Sequence, residues 1–208
     1  MFNYKKAIQI LAWLLRKSGG MAYKIMLIKL VYFADRYHLR KYGRTVSGDS
    51  YSALPLGPVG SNMLNVANQS EENLPPAALE MASETFEIQN NKTVLRLFNS
   101  DICTSCLSQS DIEALDFSFS NFGHIDRFDL SEITHSYPEW GKHRDEIESC
   151  SGRKSIPMDI RDFLKDAPDG LNPCYELTED DKAFILDAIN ESESIDRFFR
   201  INKNVAQF

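Results

Sequence analysis

The chain has 208 residues, 43% hydrophobic and 25% charged, with a formal net charge of −7. A chain of this length can bury about 70% of its unfolded surface, so it needs no disulfide staples, and no apolar run reaches the ~18 residues of a membrane span. Four cysteines behind an N-terminus that reads without a signal peptide point to reduced thiols and a cytoplasmic location.

In chain order, Asn3 to Lys17 reads as an amphipathic helix, with Tyr4, Ala7, Ile8, Leu11, Leu14 and Leu15 on one stripe. Ser18-Gly19-Gly20 stops it. A second helix is predicted over Met21–Lys41. Only Lys29 is polar between Ile25 and Ala34, and a helix apolar nearly all round is a central, buried one. Ser50–Leu56 reads as a short edge strand, since Pro55 and Pro58 remove ladder donors. Gly57-Pro58 then turns the chain into a helix through about Asn68, with Pro58 near its first position. Glu71–Pro76 reads as a loop and Thr85–Phe98 as a hairpin around Asn90-Asn91. Ser108 and Asp111 offer a capping box before Ile112, Leu115, Phe119 and Phe122. Short helices follow over Leu130–His135, stopped before Pro138, and Pro157–Lys165, ended by Pro168, Gly170 and Pro173. A last helix is capped by Thr178–Asp181 and presents Phe184, Ile185, Ala188 and Ile189. The expected fold is mainly α (α+β): a helical domain around a central buried helix, with one small antiparallel sheet from Ser50–Leu56 and the hairpin.

The charge is unevenly spread. Residues 1–60 hold ten Lys/Arg and two Asp/Glu; the remainder hold thirteen and twenty-eight. Either the two parts pack together and neutralise each other, or the basic part faces an acidic partner or nucleic acid. Arg36 to Arg44 interleaves basic and aromatic residues, a pattern suited to single-stranded nucleic acid or to arginines snorkelling over buried rings. The acidic total disfavours a nucleic-acid partner.

Catalytic and metal motifs are weak. Gly57-Pro58-Val59-Gly60-Ser61 lacks the lysine of a phosphate loop. Cys103 and Cys106 form a lone CxxC, while Cys150 and Cys174 stand apart and His124 and His135 lack ligand spacing. No nucleophile–base motif is present, and His38, His124, His135 and His143 read as structural. The expectation is a protein without catalytic residues, metal or cofactor that works by binding.

Lys29-Leu-Val-Tyr-Phe-Ala-Asp35, His38-Leu39, Tyr42-Gly43-Arg44, Gly48-Asp49-x-Tyr51-x-Ala53 and Gly57-Pro58-Val59 together resemble the Panacea antitoxin domain. That family includes SocA-like antitoxins and phage GepA-like proteins. A second set agrees: Leu107-Ser108, Asp111, Glu113 to Asp116, Leu130-Ser131, Thr134-His135 and Pro138-Glu139-Trp140. The resemblance runs over about residues 4–190, giving one domain over 1–190 and a tail, 191–208, that packs on it or extends it. It implies a type II antitoxin that binds a toxin encoded beside it. One SocA-like member resembles instead an adaptor that delivers its toxin to a Clp protease. Leu30, Tyr32, Phe33, His38, Gly57, Pro58, His135 and Trp140 carry the motif as structural residues. The expected toxin-binding surface joins Arg36, Arg40 and Arg44 to Asp49, Tyr51 and Leu54 on the edge segment, because Arg and Tyr are enriched at interface hot spots. The remaining alternatives are a homodimer as a further assembly and a nucleic-acid-binding regulator that uses the basic N-terminal part.

Overall fold

A computed structural model describes residues 2–149, 155–167 and 177–205. The expected stop at Pro168, Gly170 and Pro173, the cysteines Cys150 and Cys174, and the last three residues of the tail lie outside the described residues. The elements are α1 (Tyr4–Lys17), β1 (Met21–Tyr23), α2 (Lys24–Tyr42), β2 (Tyr51–Leu54), β3 (Gly57–Gly60), α3 (Ser61–Asn68), α4 (Pro76–Thr85), β4 (Phe86–Gln89) and β5 (Val94–Leu97). They continue with α5 (Gln109–Phe122), α6 (Arg127–His135), α7 (Pro138–Gly141), α8 (Arg144–Glu148), β6 (Ile156–Pro157), a 3-10 turn at Ile160–Leu164, and α9 (Glu179–Val205). The class is mainly α with antiparallel strands, as the sequence leads one to expect.

Helix α2 is the axis. Every residue from Leu27 to Arg40 is buried, and α1, α5, α6, β3 and the 3-10 turn surround it. Its seam with α5 is aromatic: Phe33 stacks on Phe122 with centroids 3.7 Å apart, and Tyr37 on Phe117 at 4.3 Å. Ser118 also donates to the Leu30 carbonyl at 2.6 Å. The ends obey local rules. Asn3 caps α1, Ser108 and Asp111 form the capping box of α5, and Gly43 closes α2 in the left-handed conformation.

Several boundaries differ from expectation. Met21–Tyr23 is not the first turn of α2; it is a strand that pairs with Val94–Arg96. The strands divide between two three-stranded antiparallel sheets, β1-β5-β4 and β3-β2-β6, rather than forming one. Strand β2 is consequently central, covered by β3 on one side and by Ile156–Pro157 on the other. Pro58 is not at a helix start. It sits in edge strand β3 opposite Ala53, where a missing ladder donor is tolerated, and α3 begins at Ser61. Pro138 opens α7 instead of only ending α6, which starts at Arg127 under an Asp126 cap. Helix α4 follows Pro75 where no element was expected, and the 157–165 segment narrows to a 3-10 turn. In α9 Ile185 and Ile189 are buried, but Phe184 is 76% exposed, and the helix runs on across residue 190.

The two oppositely charged parts of the chain neutralise each other. Lys6 and Arg44 pair with Asp111, Lys17 with Asp116, Arg36 with Glu139, Arg40 with Asp166 and Lys41 with Glu113.

Candidate protein-binding face

The C-terminal half of α2 turns its charges inward. Arg36 is 4% exposed; its Nε donates to Glu139 Oε1 at 2.9 Å and an Nη to the Lys165 carbonyl at 2.6 Å. Tyr32 donates to the same Glu139 oxygen at 2.5 Å. Burial is the largest influence on Arg36 and opposes its charge, but Glu139 together with Tyr32 and Tyr137 outweighs it and strengthens the guanidinium's hold on its proton. One turn on, Arg40 is 1% exposed and donates to the Leu164 carbonyl at 2.7 Å and to Asp166 at 2.6 Å. The two arginines thus clamp α7 and the 3-10 turn onto α2.

The same half of α2 holds the strand segment. Asp35 accepts from the Ser47 amide at 2.8 Å, from the Ser47 hydroxyl, and from the Tyr51 hydroxyl at 2.7 Å. Burial pushes its carboxyl up to about 6 despite those donors. Asp49 accepts from the amides of Asn62 at 3.2 Å and Met63 at 2.7 Å, so it caps α3 from thirteen residues upstream. At Gly57, φ is +98°, and a Cβ would collide with Thr134 Oγ1 and Lys29 Nζ. Trp140, stacked on His135 at 3.8 Å, donates from Nε1 to the Leu54 carbonyl at 2.9 Å.

His38 is fully buried. Its Nδ1 lies 2.6 Å from the Arg44 carbonyl and its Nε2 3.0 Å from the Ser110 hydroxyl. A carbonyl only accepts, so Nδ1 carries the proton. Burial draws the ring below its ordinary pKa, which leaves Nε2 as the acceptor for Ser110. Cys103 and Cys106 are free thiols in the loop before α5, where Gln9 binds the Cys106 amide at 2.8 Å. Among the described residues no group of three potential metal ligands occurs, and no helix is long and apolar enough to cross a membrane.

The expected basic surface is therefore largely interior. Arg36, Arg40, Asp49 and Tyr51 are buried, which corrects the expectation that they face outward, and Leu54 is half-buried. Only Arg44, with 51% of its side chain exposed, presents a charge, and it shares Asp111 with Lys6. Leu30, Tyr32, Phe33, Gly57, Pro58, His135 and Trp140 are buried as well.

An open surface lies at the opposite, N-terminal end of α2. There a groove of about 590 Å³ runs between the start of α2, the Pro55–Leu56 turn, α3, the β4–β5 loop and the start of α6. Its apolar walls are Tyr23, Leu56 and Phe128, exposed by 42%, 55% and 57%. Lys24, Lys92 and Arg127 line it together with the buried Lys29, and among the described residues no acidic residue lines it. Lys24 donates to the Asn68 side chain at 2.5 Å, and Arg127 lies 3.6 Å over the Tyr23 ring. Burial, and then the neighbouring Lys92 charge, draw the Lys24 amine below its ordinary pKa. Burial alone brings the Lys29 amine down to about 7, with the Pro58 carbonyl accepting from it at 3.0 Å. Of the expected toxin-binding residues, Leu54 lines this groove; Tyr23, Leu56 and Phe128 were not singled out from sequence, although strand β1 and the Pro55-Leu56 turn carry a signal: exposed apolar residues on short connecting pieces.

Residues 27–141 match the family described as antitoxin SocA-like, Panacea domain. The chain belongs to the Panacea family. The matched range is narrower than the 4–190 suggested by the motif residues. It takes in nearly all of α2, both hairpins (β2–β3 and β4–β5) and α3 to α7, so the Panacea frame is the buried helix with α5, α6 and β3 against it, while α1 and the 3-10 turn that also pack on α2 lie outside it. Most of the groove is built on that frame; Tyr23, Lys24 and Ile25 come from just before it. No curated protein and no solved structure matches the chain. Membership supports an antitoxin role and a toxin as partner.

Proposed function

We propose that this protein is the antitoxin of a type II toxin–antitoxin pair, working in the cytoplasm by stoichiometric binding of a co-encoded toxin and without chemistry of its own. The Panacea match over residues 27–141 carries this reading. The open apolar groove supports it, because soluble monomers rarely leave large apolar patches uncovered unless a partner uses them. The test has two parts. The neighbouring open reading frame is expressed alone and with this protein, and growth is scored. Tagged protein is then purified with an inactivated toxin. Toxicity alone, rescue on co-expression and a one-to-one complex are expected. Rescue without any complex overturns sequestration, and rescue that also requires a Clp-type protease replaces it with the adaptor reading.

A further inference from the structure

We infer that the groove at the N-terminal end of α2 is where the partner toxin docks, and that its occupant is a segment of that protein with apolar side chains flanked by carboxylates. The inference rests on the binding role proposed above and names its surface and chemistry. Charge complementarity points to the occupant. In a chain of net charge −7, the residues lining this one groove are cationic or uncharged. Of the eight Lys/Arg of residues 1–60 outside the groove, six sit beside carboxylates: Lys6, Lys17, Arg36, Arg40, Lys41 and Arg44. Among the described residues no carboxylate pairs with Lys24, Lys29, Lys92 or Arg127.

The positions also suit an anchor. Lys24 and Lys92 are close enough for the charge of one to disfavour that of the other, a repulsion that an incoming carboxylate relieves. Arg127 already lies against the Tyr23 ring, 3.6 Å from its centroid, so it loses less side-chain freedom when it binds a carboxylate. The walls come from three separate elements and are half exposed, which makes an open trough rather than an enclosed cavity. A chain segment with side chains entering from above fills such a trough better than a small molecule, which pockets usually bury by ~70–90%. Nucleic acid fits poorly, since its phosphates would meet apolar walls.

The experiment is a binding titration of full-length protein with inactivated toxin at low and high salt. The variants are wild type, the triple reversal Lys24→Glu/Lys92→Glu/Arg127→Glu, the wall variant Leu56→Asp/Phe128→Asp, and Lys5→Glu as a control at the other end of the molecule. Thermal melting is measured for each. With unchanged melting, both groove variants are expected to weaken the complex at least tenfold and the control less than threefold, and the wild type should lose affinity with salt faster than the triple reversal. A wild-type complex that both folded groove variants form equally well overturns the groove and leaves the antitoxin reading standing. No complex with any variant, wild type included, sinks the binding role and the groove together. Stoichiometric binding of dodecanoate as a small apolar acid, with toxin binding indifferent to it, also overturns the proposal.

Discussion

The two ends of helix α2 make opposite use of cations. Toward its C-terminus, Arg36 and Arg40 are buried and bound to Glu139, Asp166 and the carbonyls of residues 163–165. Toward its N-terminus, Lys24 and the buried Lys29 line an apolar groove; Lys24 donates to the Asn68 amide oxygen and Lys29 to the Pro58 carbonyl, and among the described residues neither pairs with a carboxylate. One end therefore fixes the architecture, and the other leaves charge and apolar area for something else. Basic residues on a single helix can be structural or available, and the difference lies in what the rest of the fold brings to them.

The comparison breaks most sharply at Glu139. Glu139→Ala leaves Arg36 charged in a dry site, a defect that costs about 3–5 kcal/mol, so a large fall in the denaturation midpoint is expected. A midpoint within experimental error of wild type would show that the clamp is not structural. Leu30→Ala and Phe33→Ala should follow closely. Both side chains are buried, Phe33 against Phe122, and large-to-small core changes cost about 2–5 kcal/mol. Because domains hold only ~5–15 kcal/mol in all, these variants should lose toxin rescue through unfolding, seen as lost near-ultraviolet circular dichroism.

Lys29 tests the other end. Its folded pKa, about 7, lies below the ordinary 10.5, so between those values the unfolded chain binds more protons than the native one. The contribution of Lys29 to stability should accordingly be lowest below pH 7 and rise as pH climbs from about 7 toward 10.5. Lys29→Met removes this contribution. Urea midpoints at pH 7 and pH 9.5 should show a rise in the wild type that is smaller in the variant; identical slopes would mean that the amine is not desolvated. The smallest effect is expected at the free thiols. Cys103→Ser/Cys106→Ser should stay within about 0.5 kcal/mol of wild type and keep toxin rescue, since the thiols occupy a loop that Gln9 holds through an amide. Loss of rescue in a folded double variant would assign them a role.

The sequence by itself determined what depends on near neighbours. The unbroken apolar run from Ile25 to Ala34 made α2 a buried axis, because a helix with no polar stripe has to be enclosed. Asn3, Gly43 and the Ser108–Asp111 box set helix ends through bonds spanning three or four residues. The ordered motif residues were enough to recognise the Panacea family. Tertiary structure decided the rest, because the deciding partners are remote. Strand β2 became central only when Ile156–Pro157, a two-residue strand with no local pattern, paired with it. Arg36 and Arg40 looked like the exposed end of a basic helix until acceptors 103 to 129 positions away enclosed them. The groove exists only where five elements meet, and no periodicity records such a meeting. A cation's nearest neighbours in sequence show that it is charged; only the packing supplies the carboxylate, the carbonyl or the open space that gives the charge its use.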